Sequence, residues 1–121
     1  MDRVGGDGGQ TMPMDLNEYQ DRAQKYAAYQ HAPEHHGVNL YPFLALNEEA
    51  GEVAGKVAKA MRKGDPIDAG AVAMELGDVL WQIAACAGEL GYTLSEIADL
   101  NLAKLGDRAD RGVIVGEGDD R

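Results

Sequence analysis

The sequence predicts an all-α protein built on four main helices. Two observations carry this reading. Apolar residues recur at three- and four-residue spacing in four segments between Leu16 and Arg108, and glycine- or proline-bearing breaks separate those segments. No stretch alternates polar and apolar residues in strand fashion, apart from a short one at residues 113–115.

Residues 1–14 are glycine-rich with almost nothing to bury, and read as a flexible N-terminal tail. Asp15 is an N-cap candidate with Glu18 three residues on. Leu16, Tyr19, Ala23, Tyr26 and Ala27 then share a helical face, which predicts a first helix to about Gln30. The stretch from His31 to Pro42 holds two prolines, a glycine and three histidines, and reads as a loop. A long second helix is expected from about Phe43 to Arg62, with Leu46, Ala50, Val53 and Val57 as its core-facing stripe. Lys63-Gly64-Asp65-Pro66 ends it, and Asp65 with Pro66 suits the start of a short helix as N-cap and N1. A third helix is expected from Ala71 to Leu90, stopping at Gly91. Thr93 and Glu96 form a capping box for a fourth, ending near Gly106 or Arg108. The folded domain is thus expected over residues 15–108, with residues 109–121 a glycine-punctuated polar tail.

A chain of 121 residues has room for one domain and one core, and a bundle this small often gains by oligomerising. The formal net charge of −10 argues against a nucleic-acid polymer as partner, because phosphate-backbone binding depends on Lys and Arg. The single cysteine, Cys86, can form no intramolecular disulfide, and no Cys/His zinc spacing exists. The N-terminus has no apolar signal core, and the apolar runs are read as too short to span a bilayer. The expectation is a cytoplasmic protein with no membrane partner.

Two acidic groups stand out: Glu48-Glu49-x-x-Glu52 on the second helix and Glu75-x-x-Asp78 on the third. At about 100° per residue, each group shares one helix face. On the second helix, a solvated face would explain this, since Glu52 precedes Lys56 at the favourable four-residue spacing, with Lys59 and Lys63 beyond it. The third helix shifts the balance. Val72, Leu76, Val79, Leu80, Ile83, Ala84, Ala87 and Leu90 cover a broad face, leaving a narrow polar strip of Glu75, Asp78, Gln82 and Glu89. A helix so apolar is expected to be buried, and carboxylates on it need compensation. No base lies within the third helix, so a divalent cation is the natural counter-charge. An all-carboxylate set suits a hard ion, Mg²⁺ or Mn²⁺. A di-iron site would want Glu-x-x-His, and neither Glu52 nor Glu75 has His at the third position. His31, His35 and His36 are read as uninvolved loop residues. On the fourth helix Asn101, Lys104, Arg108 and Arg111 fall on one side, with Asn101 expected at the edge of the core. Cations near a helix C-terminus are favourable in any case.

These residues resemble the MazG-like all-α nucleotide pyrophosphohydrolases, relatives of dimeric dUTPases and phosphoribosyl-ATP pyrophosphatases. The family signature EExxE followed by ExxD matches Glu48-Glu49-Ala50-Gly51-Glu52 and Glu75-Leu76-Gly77-Asp78, and the words LNEEAGEVAGKVAK, ELGDVLWQIAA and NLAKLGDRADRGVIVGEGD also fit. The resemblance covers about Leu16 to Asp119. It implies Mg²⁺, with Mn²⁺ as a substitute, held by Glu49, Glu52, Glu75 and Asp78. Glu48, with Glu49, would serve catalysis, Glu48 as an accessory ligand or as the group that orients or deprotonates the attacking water. Asn101, Lys104 and Arg108 would contact the nucleotide. The implied reaction is hydrolysis of an NTP or dNTP to monophosphate and pyrophosphate, as house-cleaning of the nucleotide pool, in a homodimer or homotetramer. Met74 and Trp81, outside the main apolar stripe, independently suggest burial against a second chain, with stacking of Trp81 on a base as the alternative. A phosphoribosyl-ATP pyrophosphatase and a non-catalytic nucleotide- or metal-binding module are the competing readings. The residues give no code for the preferred base.

Overall fold

The computed structural model describes residues 13–27, 29 and 32–113. Of the expected tails, residues 1–14 and 109–121, residues 1–12 and 114–121 lie outside the described residues, as do residues 114–115 of the strand-like stretch and His31. Within them the chain forms α1 (Leu16–Gln24), β1 (Glu34–His35), β2 (Val38–Asn39), α2 (Tyr41–Lys63), α3 (Ala69–Glu89) and α4 (Leu94–Asp110). The all-α reading holds, with four helices as expected.

α1 begins as its sequence requires: the Asp15 carboxylate accepts the Glu18 N–H at 2.8 Å. It ends at Gln24, earlier than the periodicity predicts. The next residues leave the helix through tight turns, Tyr26 N–H to Ala23 and Ala27 N–H to Gln24. Tyr29 is then drawn away by tertiary contacts, stacking on Tyr41 with ring centroids 5.7 Å apart and accepting the Asn39 side-chain N–H at 2.9 Å.

The expected loop before α2 is instead a small antiparallel hairpin, pairing Glu34 with Asn39 and His35 with Val38. His36 at φ +50° and Gly37 at φ +83° supply the two left-handed residues that such a two-residue turn needs. Asn39 is buried and explains why the hairpin docks. Its backbone N–H donates to Glu89 Oε1 at 2.8 Å, and its side-chain oxygen accepts the Tyr41 N–H at 2.9 Å. Glu89, expected on a polar strip with Glu75 and Asp78, therefore has a structural partner.

α2 starts two residues before the expected Phe43, with Pro42 in its first turn, where a missing N–H costs nothing. Gly64 at φ +70° closes it. Asp65 and Pro66 start no helix. The Asp65 N–H donates to Ala60 at 3.0 Å and so belongs to the end of α2, while Asp68 caps α3 by accepting the Ala71 N–H at 3.0 Å. At the far end, the Thr93–Glu96 capping box forms as expected and α4 runs on to Asp110. Gln20 fastens this corner. Its amide donates to Ala84 and Tyr92 carbonyls at 3.1 and 3.2 Å, and its oxygen accepts the Leu94 N–H at 2.9 Å.

α3 packs chiefly on α2 and also touches α1 and α4. The core lies around its C-terminal half, where Ala84, Ala85, Cys86 and Ala87 are buried, as are Pro42 and Ala45 of α2 and Leu94 of α4. These small side chains let the helices approach closely. Burial pushes the Cys86 thiol pKa up, with the Glu89 charge adding to it. The single chain buries less of α3 than its apolar pattern predicts: Leu76, Leu80 and Leu90 of the predicted core face are exposed, and Gln82 of the polar strip is buried. Ala50 likewise is exposed on α2. Against the reading that the apolar runs are too short to span a bilayer, α3 has 21 residues and holds an 18-residue window of mean hydropathy 1.2, long and apolar enough by those two measures alone.

Candidate metal centre

α2 and α3 are joined by a short turn and lie side by side, so the acidic face of α2 looks onto the acidic face of α3. Glu49, Glu52 and Glu75 each offer a carboxylate oxygen, and these oxygens lie within 4.8 Å of one another. Asp78, one turn beyond Glu75, stands near enough for its charge to raise the pKa of Glu49, yet outside that tight set. Glu48 is exposed beside the cluster.

The cluster is electrostatically costly. Burial is the main cause holding the Glu49 carboxyl above its usual range, followed by the charges of Asp78, Glu75 and Glu48. Glu52 is also raised, first by a hydrogen bond shared with Glu75, which only a protonated carboxyl can make, and then by the charges of Glu49 and Glu75. One cation offsets part of this. Lys56 Nζ lies 3.7 Å from Glu75 Oε1. The sequence pairs Lys56 with Glu52 along one helix; the tertiary structure turns it across to α3.

The donor set fits a hard divalent cation. Glu49 Oε2 and Glu75 Oε2 are shut off from solvent with no hydrogen-bond partner. Buried acceptors of this kind are uncommon without an ion or water to satisfy them. Three carboxylate oxygens this close together would suit a single hard divalent ion, which would satisfy both orphaned atoms.

Beside the cluster, a cleft of about 780 Å³ opens between α1 and α3. Tyr19, Tyr26, Met74 and Trp81 give it an apolar, aromatic lining, Arg22 and Lys25 stand on its α1 side, and Asp78 joins it to the carboxylates. Burial, then the Asp78 charge, raises the Tyr19 hydroxyl pKa. Sequence reasoning assigned no role to Tyr19. Its place on the same apolar stripe of the sequence as Tyr26 is a usable signal, but nothing local says which helix that stripe meets.

α4 stands apart from this arrangement. Asn101 and Lys104 are exposed, which corrects the expectation that Asn101 sits at the core edge, whereas Arg108 is only 5% exposed. None of the three lines the aromatic cleft.

Comparison with known proteins agrees with this geometry. A family model described as the MazG nucleotide pyrophosphohydrolase domain matches residues 41–113. The chain is 39% identical over 114 residues to the Gene 37 protein of Mycobacterium phage L5, covering 89% of this chain and 100% of the relative. No solved structure matches. The family match runs from the first residue of α2 past the end of α4 and so takes in every carboxylate of the cluster, and on that ground the chain belongs to the MazG nucleotide pyrophosphohydrolase domain family.

Proposed function

We propose that the protein is a Mg²⁺-dependent hydrolase that cleaves a nucleoside or deoxynucleoside triphosphate to the monophosphate and pyrophosphate. The observation that carries this reading is the convergence of Glu49, Glu52 and Glu75 from two helices, with two orphaned buried oxygens, beside an aromatic cleft large enough for a nucleoside. Glu49, Glu52, Glu75 and Asp78 hold the ion, Mn²⁺ serving as a substitute. When bound, the ion activates water and neutralises charge building on the phosphate oxygens.

The chain's own groups do the rest. Glu48, exposed beside Glu49, takes a proton from the attacking water or supplies an accessory ligand. The water oxygen bonds to the α-phosphorus, and the bond from that phosphorus to the bridging oxygen breaks, the electron pair leaving with pyrophosphate. Tyr19, Tyr26 and Trp81 receive the base, a surface on which any base can stack. Trp81→Ala is therefore expected to raise KM roughly tenfold, in line with about 1–3 kcal/mol for a lost stacking contact, while kcat changes little. A KM unchanged in this variant would return Trp81 to a packing role.

Asn101, Lys104 and Arg108 are proposed to hold the nucleotide. Asn101 and Lys104, exposed on α4, meet it best in a neighbouring copy, while Arg108 is reached only if the end of α4 adjusts. A homodimer or homotetramer also gives cover to Met74, Leu76, Leu100 and Leu102, which are 75%, 52%, 56% and 66% exposed in the single chain. A second copy suits α3 better than lipid does, because Glu75 and Asp78 lie within its span. We expect a dimer or larger species by light scattering at micromolar concentration; a monomer would remove this account of α4. Such an assembly acts on the cytoplasmic nucleotide pool.

The deciding experiment incubates the protein with Mg²⁺ and a panel of NTPs and dNTPs, including dUTP and oxidised dGTP, and identifies the products. Monophosphate with pyrophosphate supports the reading. Diphosphate with inorganic phosphate would put cleavage at another bond and defeat it.

A further inference from the structure

A second, smaller cleft of about 240 Å³ lies at the α2–α3 turn, on the other flank of the carboxylates. Lys56, Lys59 and Lys63 line it from α2, and Asp65 and Asp68 lie at its turn. The spacing of three and four residues places all three ammonium groups on one helix face. Asp68 is committed to capping α3 through the Ala71 N–H. Among the described residues, Lys59 and Lys63 form no ion pair. Lys56 is the link between cleft and cluster: it lines the cleft while its Nζ stands 3.7 Å from Glu75 Oε1.

The order of features gives a substrate a direction. The aromatic cleft reaches the carboxylates through Asp78, and the lysine cleft reaches them through Lys56. A nucleoside seated in the first sets its α-phosphate over the carboxylates, and the phosphates beyond it run toward the lysines. Resting on the triphosphate reading above, we propose that this lysine-lined cleft takes the terminal phosphates of the substrate and holds the pyrophosphate they become. In a chain of net charge −10, a local row of cations is what lets a polyanion approach. It also places positive charge where the leaving group gains negative charge.

The test is a titration of the full-length protein, with Mg²⁺ present, by inorganic pyrophosphate and separately by a nucleoside monophosphate. The wild type is compared with Lys59→Ala/Lys63→Ala, with Lys59→Arg/Lys63→Arg, and with Arg62→Ala, which removes a neighbouring charge that does not line the cleft. Lys59, Arg62 and Lys63 are all exposed helix sites, so the fold is expected to survive, checked by circular dichroism. The double alanine variant should lose about tenfold or more in pyrophosphate affinity, as befits lost charge-assisted contacts. Its monophosphate affinity should stay within about twofold, the arginine pair should restore pyrophosphate binding, and Arg62→Ala should leave it unchanged. Equal pyrophosphate affinity in the wild type and the double alanine variant would overturn the proposal. So would an equal loss in Arg62→Ala, which would mean general charge rather than a site. If the protein turns over no triphosphate, the enzymatic reading fails on its own, and the pyrophosphate titration still decides the cleft.

Discussion

Glu52→Gln is expected to abolish Mg²⁺-dependent pyrophosphate release, lowering kcat by roughly a thousandfold, while the metal-free protein stays at least as stable as the wild type. The two effects separate because of what the substitution keeps. A glutamine amide can donate to Glu75 the hydrogen bond that Glu52 otherwise makes only when protonated, and it removes a negative charge that Glu49 and Glu75 repel. Losing one anionic ligand, however, forfeits several kcal/mol of charge stabilisation in the transition state. Asp78→Asn should behave alike, though with a smaller gain in metal-free stability, since Asp78 lies outside the tight set. Steady-state pyrophosphate release and thermal melts, run side by side, check both halves. Full activity in Glu52→Gln would show that the cluster is not the reaction centre. Lost activity with a collapsed melting temperature would show a structural carboxylate instead.

The second large effect joins pH to metal. Glu49 and Glu52 both have folded-state pKa values above their ordinary value of 4.5. Between that ordinary value and the raised one, the folded protein binds more protons than the unfolded chain, so stability falls as pH rises through the window. Below it both states are protonated at these groups and the penalty is absent; above it the full penalty applies. Metal-free protein should therefore melt at a lower temperature at pH 7.5 than at pH 5, with the slope reduced in Glu49→Gln/Glu52→Gln. Mg²⁺ binds the ionised carboxylates, so its stabilisation should grow with pH, reaching about 2.7 kcal/mol at a hundred times its Kd. Calorimetric melts across pH 4.5–8, with EDTA or with Mg²⁺, measure both. A Mg²⁺ shift that persists unchanged in the double glutamine variant would place the bound ion elsewhere.

Much of this is legible in the sequence, for local reasons. Asp15 with Glu18 and Thr93 with Glu96 each act within a single turn, so their caps formed where the sequence put them. Glu49 with Glu52, and Glu75 with Asp78, share faces by helical period alone, and the apolar character of α3 was enough to suggest that its carboxylates needed a counter-ion. What failed were statements about partners. Lys56 follows Glu52 at the four-residue spacing that would let a solvated face pair them, yet its ammonium stands against Glu75. Leu76 and Leu80 lie on the face that helical period assigns to the core, and a single chain leaves them exposed. Periodicity says that a face is apolar; it does not say what covers it.

The sequence by itself therefore determined the four main helices, the N-caps of α1 and α4 and the pattern of carboxylates, because each depends on residues within about one or two turns of one another. Only the tertiary structure decided that α1 stops at Gln24 so that Tyr29 can stack on Tyr41, that a hairpin replaces a loop so that Asn39 can meet Glu89, and that an aromatic cleft and a lysine cleft flank one cluster. Those depend on contacts between residues far apart in the chain, whose free energy comes from packing and desolvation after the helices have met. No local rule of period or capping contains that information.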